Sequence, residues 1–164
     1  MNSSELIEDT LSSWRNERPD LDFEVMGTFL RLAQLMTRSL RAVEPVFAAH
    51  GISLGEFDVL AALRRSGTGA SLSPSHLAHV AMVSPGGMTN RLDRLERAGL
   101  ITRQPDPADR RASLVALTAK GFAVADRAVA DLVVAEQTLA AVVSNAERRR
   151  FDRTLDKLLT RLDG

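Results

Sequence analysis

The segment from Ser84 to Lys120, SPGGMTNRLDRLERAGLITRQPDPADRRASLVALTAK, sets the tightest limit on what this chain can fold into. Ser84-Pro85 supplies a capping hydroxyl and then proline at the first helical position, where a missing N–H costs nothing. Gly99 ends the helix so begun. Two short β-type runs follow, Leu100 to Gln104 and Ser113 to Leu117. The loop between them, PDPADRRA, is too long for a tight turn and is expected to project. A helix beside a basic two-stranded flap has the dimensions to fill one groove of duplex DNA and touch the next.

A helical wheel divides the Ser84–Ala98 helix. At about 100° per residue, Met88, Leu92 and Leu95 fall together and must face a core. Gly86, Asn90, Asp93, Arg94 and Arg97 lie opposite. Thr89 and Glu96 sit on one flank, and Arg91 sits on the other, near the core edge. Asn90 and Arg94 are therefore free to reach bases or phosphates, and Arg91 is poorly aimed for that. Ser84, Gly86 and Gly87 leave amides exposed at the helix N-terminus, where phosphate binds well. At the hairpin tip Arg110 and Arg111 suit a narrow minor groove. Asp109 is wrong for phosphate, and its expected job is to hold a neighbouring arginine in position. The alternative for the tip is a solvated charged turn.

Elsewhere the chain reads as helices. Ile7, Leu11 and Trp14 line one face of a helix from about Ser4 to Arg18, which Pro19 ends. Met26, Phe29, Ala33, Met36, Leu40, Val43 and Phe47 form a stripe on a helix from about Phe23 to Ala49, closed by Gly51. Ser53 with Glu56 is a capping box opening a helix to about Arg65. Gly67 and Gly69 mark a loop. Ser73-Pro74 opens a short helix with Leu77 and Ala78 inward, and Met82 and Val83 connect it tightly to the next. Such a pair is a helix-turn-helix candidate. Thr118 caps a helix from about Ala119 to Val143, and Ser144 with Glu147 caps a last one to Leu162. Leu155, Leu158, Leu159 and Leu162 give that helix an apolar stripe. The terminal helices carry more apolar surface than a domain this size easily covers, and a symmetric dimer would bury the excess.

Bulk properties exclude several classes. Lys+Arg and Asp+Glu both number 21, so a polybasic coat is absent and only a local basic patch is available. Residues 84–118 contain Arg91, Arg94, Arg97, Arg103, Arg110 and Arg111, whereas residues 1–24 are acid-rich. That asymmetry suits either a phosphate-facing segment or ordinary solvated faces. There is no cysteine, hence no disulfide, thiol nucleophile or thiol sensor. No run approaches the ~18 apolar residues of a membrane span, and the acid-rich N-terminal segment is not expected to act as a secretory signal. A soluble, cytoplasmic chain without membrane partners is expected. His76 and His79 have a spacing a metal could use, but no cysteine or nearby acid completes the set. No metal site and no cofactor is expected. A phosphate loop, a nucleophile elbow and an HExxH string are all missing, so an enzyme is not expected.

The run GxxTxRLDRLExxGLI, the DxxDRR turn and the LTxKG close together resemble the MarR family of winged-helix bacterial regulators. The order of elements over residues 24–162 resembles it too. The resemblance implies a mainly α fold with a small β-hairpin wing, a winged helix-turn-helix with N- and C-terminal dimerisation helices. Residues 53–118 would be the DNA-binding domain, residues 23–52 and 119–164 the dimerisation helices, and residues 1–22 an extra helix. It also implies a homodimer on a palindromic double-stranded operator, acting most simply as a repressor. Ser84, Gly86, Gly87, Thr89, Asn90 and Arg94 would meet the major groove, and Arg110 and Arg111 the minor groove.

The added helix with Trp14, followed by RPDLD, resembles the urate-responsive branch of that family, the PecS-like and HucR-like regulators. By that resemblance the ligand set is Trp14, Asp58, Arg65 and Arg91. A flat anionic purine such as urate or xanthine would stack on Trp14 and be held by guanidinium groups. Arg91 rides on the DNA-facing helix, so a ligand that redirects it can move that helix. The alternative is that Trp14 is packing and the other three form a structural ion-pair cluster. Two further readings stay open: a regulator answering a phenolic or aromatic carboxylate, and a helical dimer that binds a protein and no DNA. Reversing charge at Arg110 and Arg111 separates the last from the rest. Arg110→Glu with Arg111→Glu is expected to abolish gel-shift binding to duplex DNA, and a partner-helix interaction would survive it.

Overall fold

The computed structural model describes residues 2–107 and 113–163. Asp109, Arg110 and Arg111, expected from the sequence at a hairpin tip, lie outside the described residues. Among those described, seven helices and three short strands run in the order α1 (Ser3–Glu17), α2 (Glu24–Ala49), α3 (Leu54–Arg65), β1 (Ser71–Leu72), α4 (Pro74–Val80), α5 (Pro85–Arg97), β2 (Ile101–Pro105), β3 (Ser113–Leu117), α6 (Ala119–Ala140) and α7 (Asn145–Leu162). The fold is mainly helical with a small antiparallel sheet, a winged helix-turn-helix.

The helix starts follow their caps. Ser53 and Ser144 form full capping boxes with Glu56 and Glu147. Ser73, Ser84 and Thr118 each accept a hydrogen bond from the third helical N–H. Asn2 with Glu5 makes one more box, which starts α1 slightly earlier than Ser4. The ends of α2 and α5 share one geometry. Gly51 (φ 71°) and Gly99 (φ 69°) turn left-handed. The next residue's N–H then bonds back five residues, Ile52 to Phe47 and Leu100 to Leu95.

That closure shifts β2. The N–H of Leu100 is spent on α5, so the strand begins at Ile101 and not at Leu100. A strand that the sequence pattern does not reveal is β1. Ser71 and Leu72 pair with Ala116 and Val115, giving the sheet order β1-β3-β2. Two residues are too few to display an alternating pattern. Helix α6 ends at Ala140, short of Val143, because Ser144 must be extended (ψ 159°) to cap α7.

The main core centres on α3. Val59, Leu60 and Leu63 are buried against Leu77 of α4, Met88, Leu92 and Leu95 of α5, Val115 of β3, and Val124, Ala125 and Ala128 of α6. Each large apolar side chain so buried contributes roughly 2 kcal/mol, so α5 is firmly seated. A smaller cluster of Ile7, Leu11 and Phe23 fixes α1 on α2. Gly27 allows that approach, since a Cβ there would stand 2.9 Å from Leu11.

The start of α6 is locked to the end of α5. The Thr118 hydroxyl donates to the Gly99 carbonyl (2.8 Å), and the Lys120 ammonium donates to the Ala98 carbonyl (2.8 Å). Gly121 lies directly against the Leu100 backbone, where a Cβ would sit 2.8 Å from the carbonyl carbon and overlap its oxygen. The LTxKG string is therefore a backbone joint. Gly121→Ala is expected to lower stability by about 2 kcal/mol or more, because backbone must part to admit the methyl group. Gly86→Ala, which meets open space, is expected to leave stability unchanged or raised. Thermal melts of the two variants check this.

Candidate functional site

The site is built on α5 and on the first turns of α3. Met88, Leu92 and Leu95 are each 1% exposed, as the wheel requires. The opposite face is open. Ser84, Gly86, Thr89, Asn90, Arg94 and Arg97 are exposed. The Ser84 hydroxyl accepts from the Gly87 N–H (3.2 Å), and the Thr89 hydroxyl donates to the Pro85 carbonyl (3.0 Å).

The first two of the three arginines of α5 go to different places, and both reach α3. Arg91 is only 23% exposed. Its terminal nitrogen donates to the Gly55 carbonyl (3.2 Å) and lies 3.9 Å from the Asp58 carboxylate. The guanidinium occupies the space that a side chain at residue 55 would take, since a Cβ there would stand 2.6 Å from its central carbon. Arg94 is not free as the wheel alone suggests. Its Nε donates to Glu56 Oε1 (2.7 Å) while the side chain stays 53% exposed. Arg103 of β2 engages both Asp93 and Glu96 of α5. The two carboxylates that would repel a polyanion are thus screened by the wing.

The carboxylates of α3 titrate in opposite directions. Burial pushes Asp58 above the ordinary carboxylate range, and the charges of Arg91 and then Arg65 offset only part of that. For Glu56 burial also acts upward, but the Ser53 backbone N–H, Arg94 and the Ser53 hydroxyl together hold it below the ordinary range. Glu56 therefore supports the fold at neutral pH, and that support is lost as pH falls through its lowered value. Asp58 does the reverse. Its charge costs the folded state stability at neutral pH, and the cost is relieved as pH falls through its raised value. A carboxylate raised by burial beside an arginine occurs at functional sites and in structural ion pairs alike.

Of the four residues assigned to a ligand, Asp58 and Arg91 are brought together, and Arg65, exposed at the end of α3, acts on Asp58 through its charge. Trp14 stands apart. Its ring stacks on Phe23 (centroids 5.9 Å apart) and is 47% exposed. Among the described residues no hydrogen bond, ion pair or ring contact joins it to the other three. An open groove of about 600 Å³ runs between α2 and the first turn of α3, lined in part by Arg41, Glu44, Gly55 and Glu56.

Three contributors escape sequence reasoning. Gly55 and Glu56 look like ordinary first-turn residues, and Arg103 sits in a strand with no motif around it. Each acts on α5 across a long sequence separation, except Arg103, which is ten residues from Asp93. Only the capping box of Glu56 left a trace. His76 and His79 lie on α4, and among the described residues no three potential metal ligands cluster. No single described helix is long and apolar enough to cross a membrane.

A family model described as MarR family matches residues 50–112. The HTH-type transcriptional regulator PecS of Dickeya dadantii is 39% identical over 155 residues, covering 93% of this chain and 92% of that protein. The HTH-type transcriptional repressor Rv2887 of Mycobacterium tuberculosis is 36% identical over 108 residues, 66% of this chain and 76% of that one. Among solved structures, a mutant MarR from Escherichia coli complexed with operator DNA superimposes with a TM-score of 0.73 at 27% identity, covering 84% of this chain and 96% of that chain. These relatives are transcriptional regulators and not enzymes.

Gly55→Ala is expected to expel the Arg91 guanidinium without changing any charge. An NMR titration of the Asp58 carboxyl checks it. The carboxyl should titrate still higher than in the native protein once its first offsetting cation is gone, and an unchanged titration contradicts the placement.

Proposed function

The chain belongs to the MarR family of winged-helix DNA-binding transcriptional regulators, and on that premise we propose that it is a homodimeric repressor released from a palindromic operator by urate or a related purine. One observation carries the reading, the division of α5 into an outward face and an inward arginine. Thr89, Asn90 and Arg94 stand on the exposed side, with Ser84, Gly86 and Gly87 at the helix start. Arg91 turns back to Gly55 and Asp58. A ligand that binds Arg91 better in one orientation than the other shifts α5 between two poses, and that differential affinity is what a switch requires.

Residues 53–118 form the DNA-binding unit in this reading, with Arg110 and Arg111 of the wing in the minor groove and Asp109 steadying them. Residues 23–52 and 119–164 join two protomers. Exposed Phe29, Met36, Leu139, Val143, Phe151 and Leu159 support this, because monomers rarely leave so much apolar surface uncovered. Residues 1–22 add the helix bearing Trp14, whose half-open ring offers a surface for a flat purine. Asp58 pairs with Arg91 in the empty state and can meet a ligand N–H in the filled one, and Arg65 adds positive charge beside it. The similarity to PecS, an HTH-type transcriptional regulator, extends over nearly the whole chain and supports the regulator part of this reading.

The test is a gel shift on the DNA upstream of the protein's own gene, titrated with urate, xanthine and phenolic carboxylates. Native protein is expected to bind and to be released by a purine. Trp14→Ala and Arg91→Ala are expected to stay dimeric and bound but to lose the release. Unchanged urate sensitivity in both variants sinks the ligand assignment. Release by a phenolic carboxylate alone reassigns the effector.

A further inference from the structure

We infer that Glu56 is a specificity-determining positioning residue: it holds Arg94 in the pose that reads the operator, although it makes no DNA contact of its own. The inference rests on the reading of α5 as the DNA-facing helix and adds a part on α3 that decides how well α5 reads.

The geometry is that of a fixed anchor and an open fork. One carboxylate oxygen of Glu56 accepts from the Ser53 N–H (2.7 Å) and the Ser53 hydroxyl (2.9 Å). The other accepts from Arg94 Nε (2.7 Å). The Glu56 side chain is 12% exposed and Ser53 caps α3, so the carboxylate is tied to the start of the central helix of the core. Arg94 is engaged through Nε alone. Its two terminal amino groups make no hydrogen bond among the described residues, and the side chain is 53% exposed. Those groups are the pair that grips a guanine edge or a phosphate side by side. Asn90, four residues earlier, is exposed on the same face of α5. Arg97 offers a contrast, since its Nε bonds the Asp93 carbonyl on its own helix.

A long side chain immobilised on binding loses rotamer freedom, and an anchor that fixes it beforehand removes that loss from the binding step. Glu56 also places a negative charge near the interface, which weakens attraction to any duplex. Removing it therefore acts in opposite directions on two DNAs. Operator binding loses a preorganised contact, and random-sequence binding loses only a repulsion.

The experiment first lets native protein select its operator from a random duplex library. Kd is then measured at one salt concentration for that operator and for a random-sequence duplex of equal length, with native protein, Glu56→Ala, Arg94→Ala and the double variant. Glu56→Ala is expected to weaken operator binding about three- to tenfold, with random-duplex binding unchanged or tighter. In the Arg94→Ala background, removing Glu56 is expected to cost the operator nothing further. Glu56→Gln keeps the shape but not both acceptor bonds, and gives a smaller loss of the same sign if Glu56→Ala melts below the assay temperature. Equal weakening on both DNAs, or the same loss with and without Arg94, assigns Glu56 to capping alone and overturns the inference. Undiminished operator binding in both Glu56 variants overturns it too. If native protein selects no sequence, the DNA-binding reading itself fails and takes this inference with it.

Discussion

The close contact between Gly121 and the Leu100 backbone is the constraint on which the rest of the structure depends. It brings the first turn of α6 to the last turn of α5 with no side chain between them. The Thr118 hydroxyl and the Lys120 ammonium then satisfy the carbonyls of Gly99 and Ala98, which the end of α5 leaves free. A helix fastened this way cannot slide or rotate without moving α6. The hydrophobic face of α5 sets its depth in the core, and the joint sets its direction. In the proposed dimer α6 is also a subunit-joining helix, so the orientation of the reading helix is tied to the subunit interface through a few backbone atoms.

Within that frame electrostatics links four of the five charged residues of α5 to groups outside the helix, and only Arg97 stays on its own backbone. Arg103 answers Asp93 and Glu96, Glu56 answers Arg94, and Gly55 with Asp58 answers Arg91. Two of these links reach the first turn or two of α3. The ligand proposal and the specificity inference therefore rely on one helix pair, and both rely on α3 being immobile at the centre of the core. They differ in direction. Glu56 is held low in pKa and stabilises what it touches, whereas Asp58 is held high and does not.

Local signals made most of this legible. Ser-Pro pairs, two capping boxes and two left-handed glycines place the helix ends within a few residues, because each acts through its own neighbours. The wheel separates Arg91 from Asn90 and Arg94, because 3.6 residues per turn is a property of the helix itself. What the sequence conceals is long-range or very short. Strand β1 has only two residues. The Arg94–Glu56 pair spans 38 positions, and nothing at either position announces the other. Gly55 reads as a weak helix former until Arg91 is seen resting on it. The LTxKG string is recognisable as a pattern, but its reason, a carbonyl against a missing Cβ, is visible only in three dimensions.

The central claim is that neighbouring arginines on α5 serve different ends, Arg94 the DNA and Arg91 the interior. The ratio of Kd for a selected operator to Kd for a random-sequence duplex measures this directly, since an arginine that reads the operator contributes to the first more than to the second. The account predicts that Arg94→Ala narrows the gap between the two DNAs, and that Arg91→Ala leaves both affinities unchanged. A loss of discrimination as large for Arg91→Ala as for Arg94→Ala would contradict it.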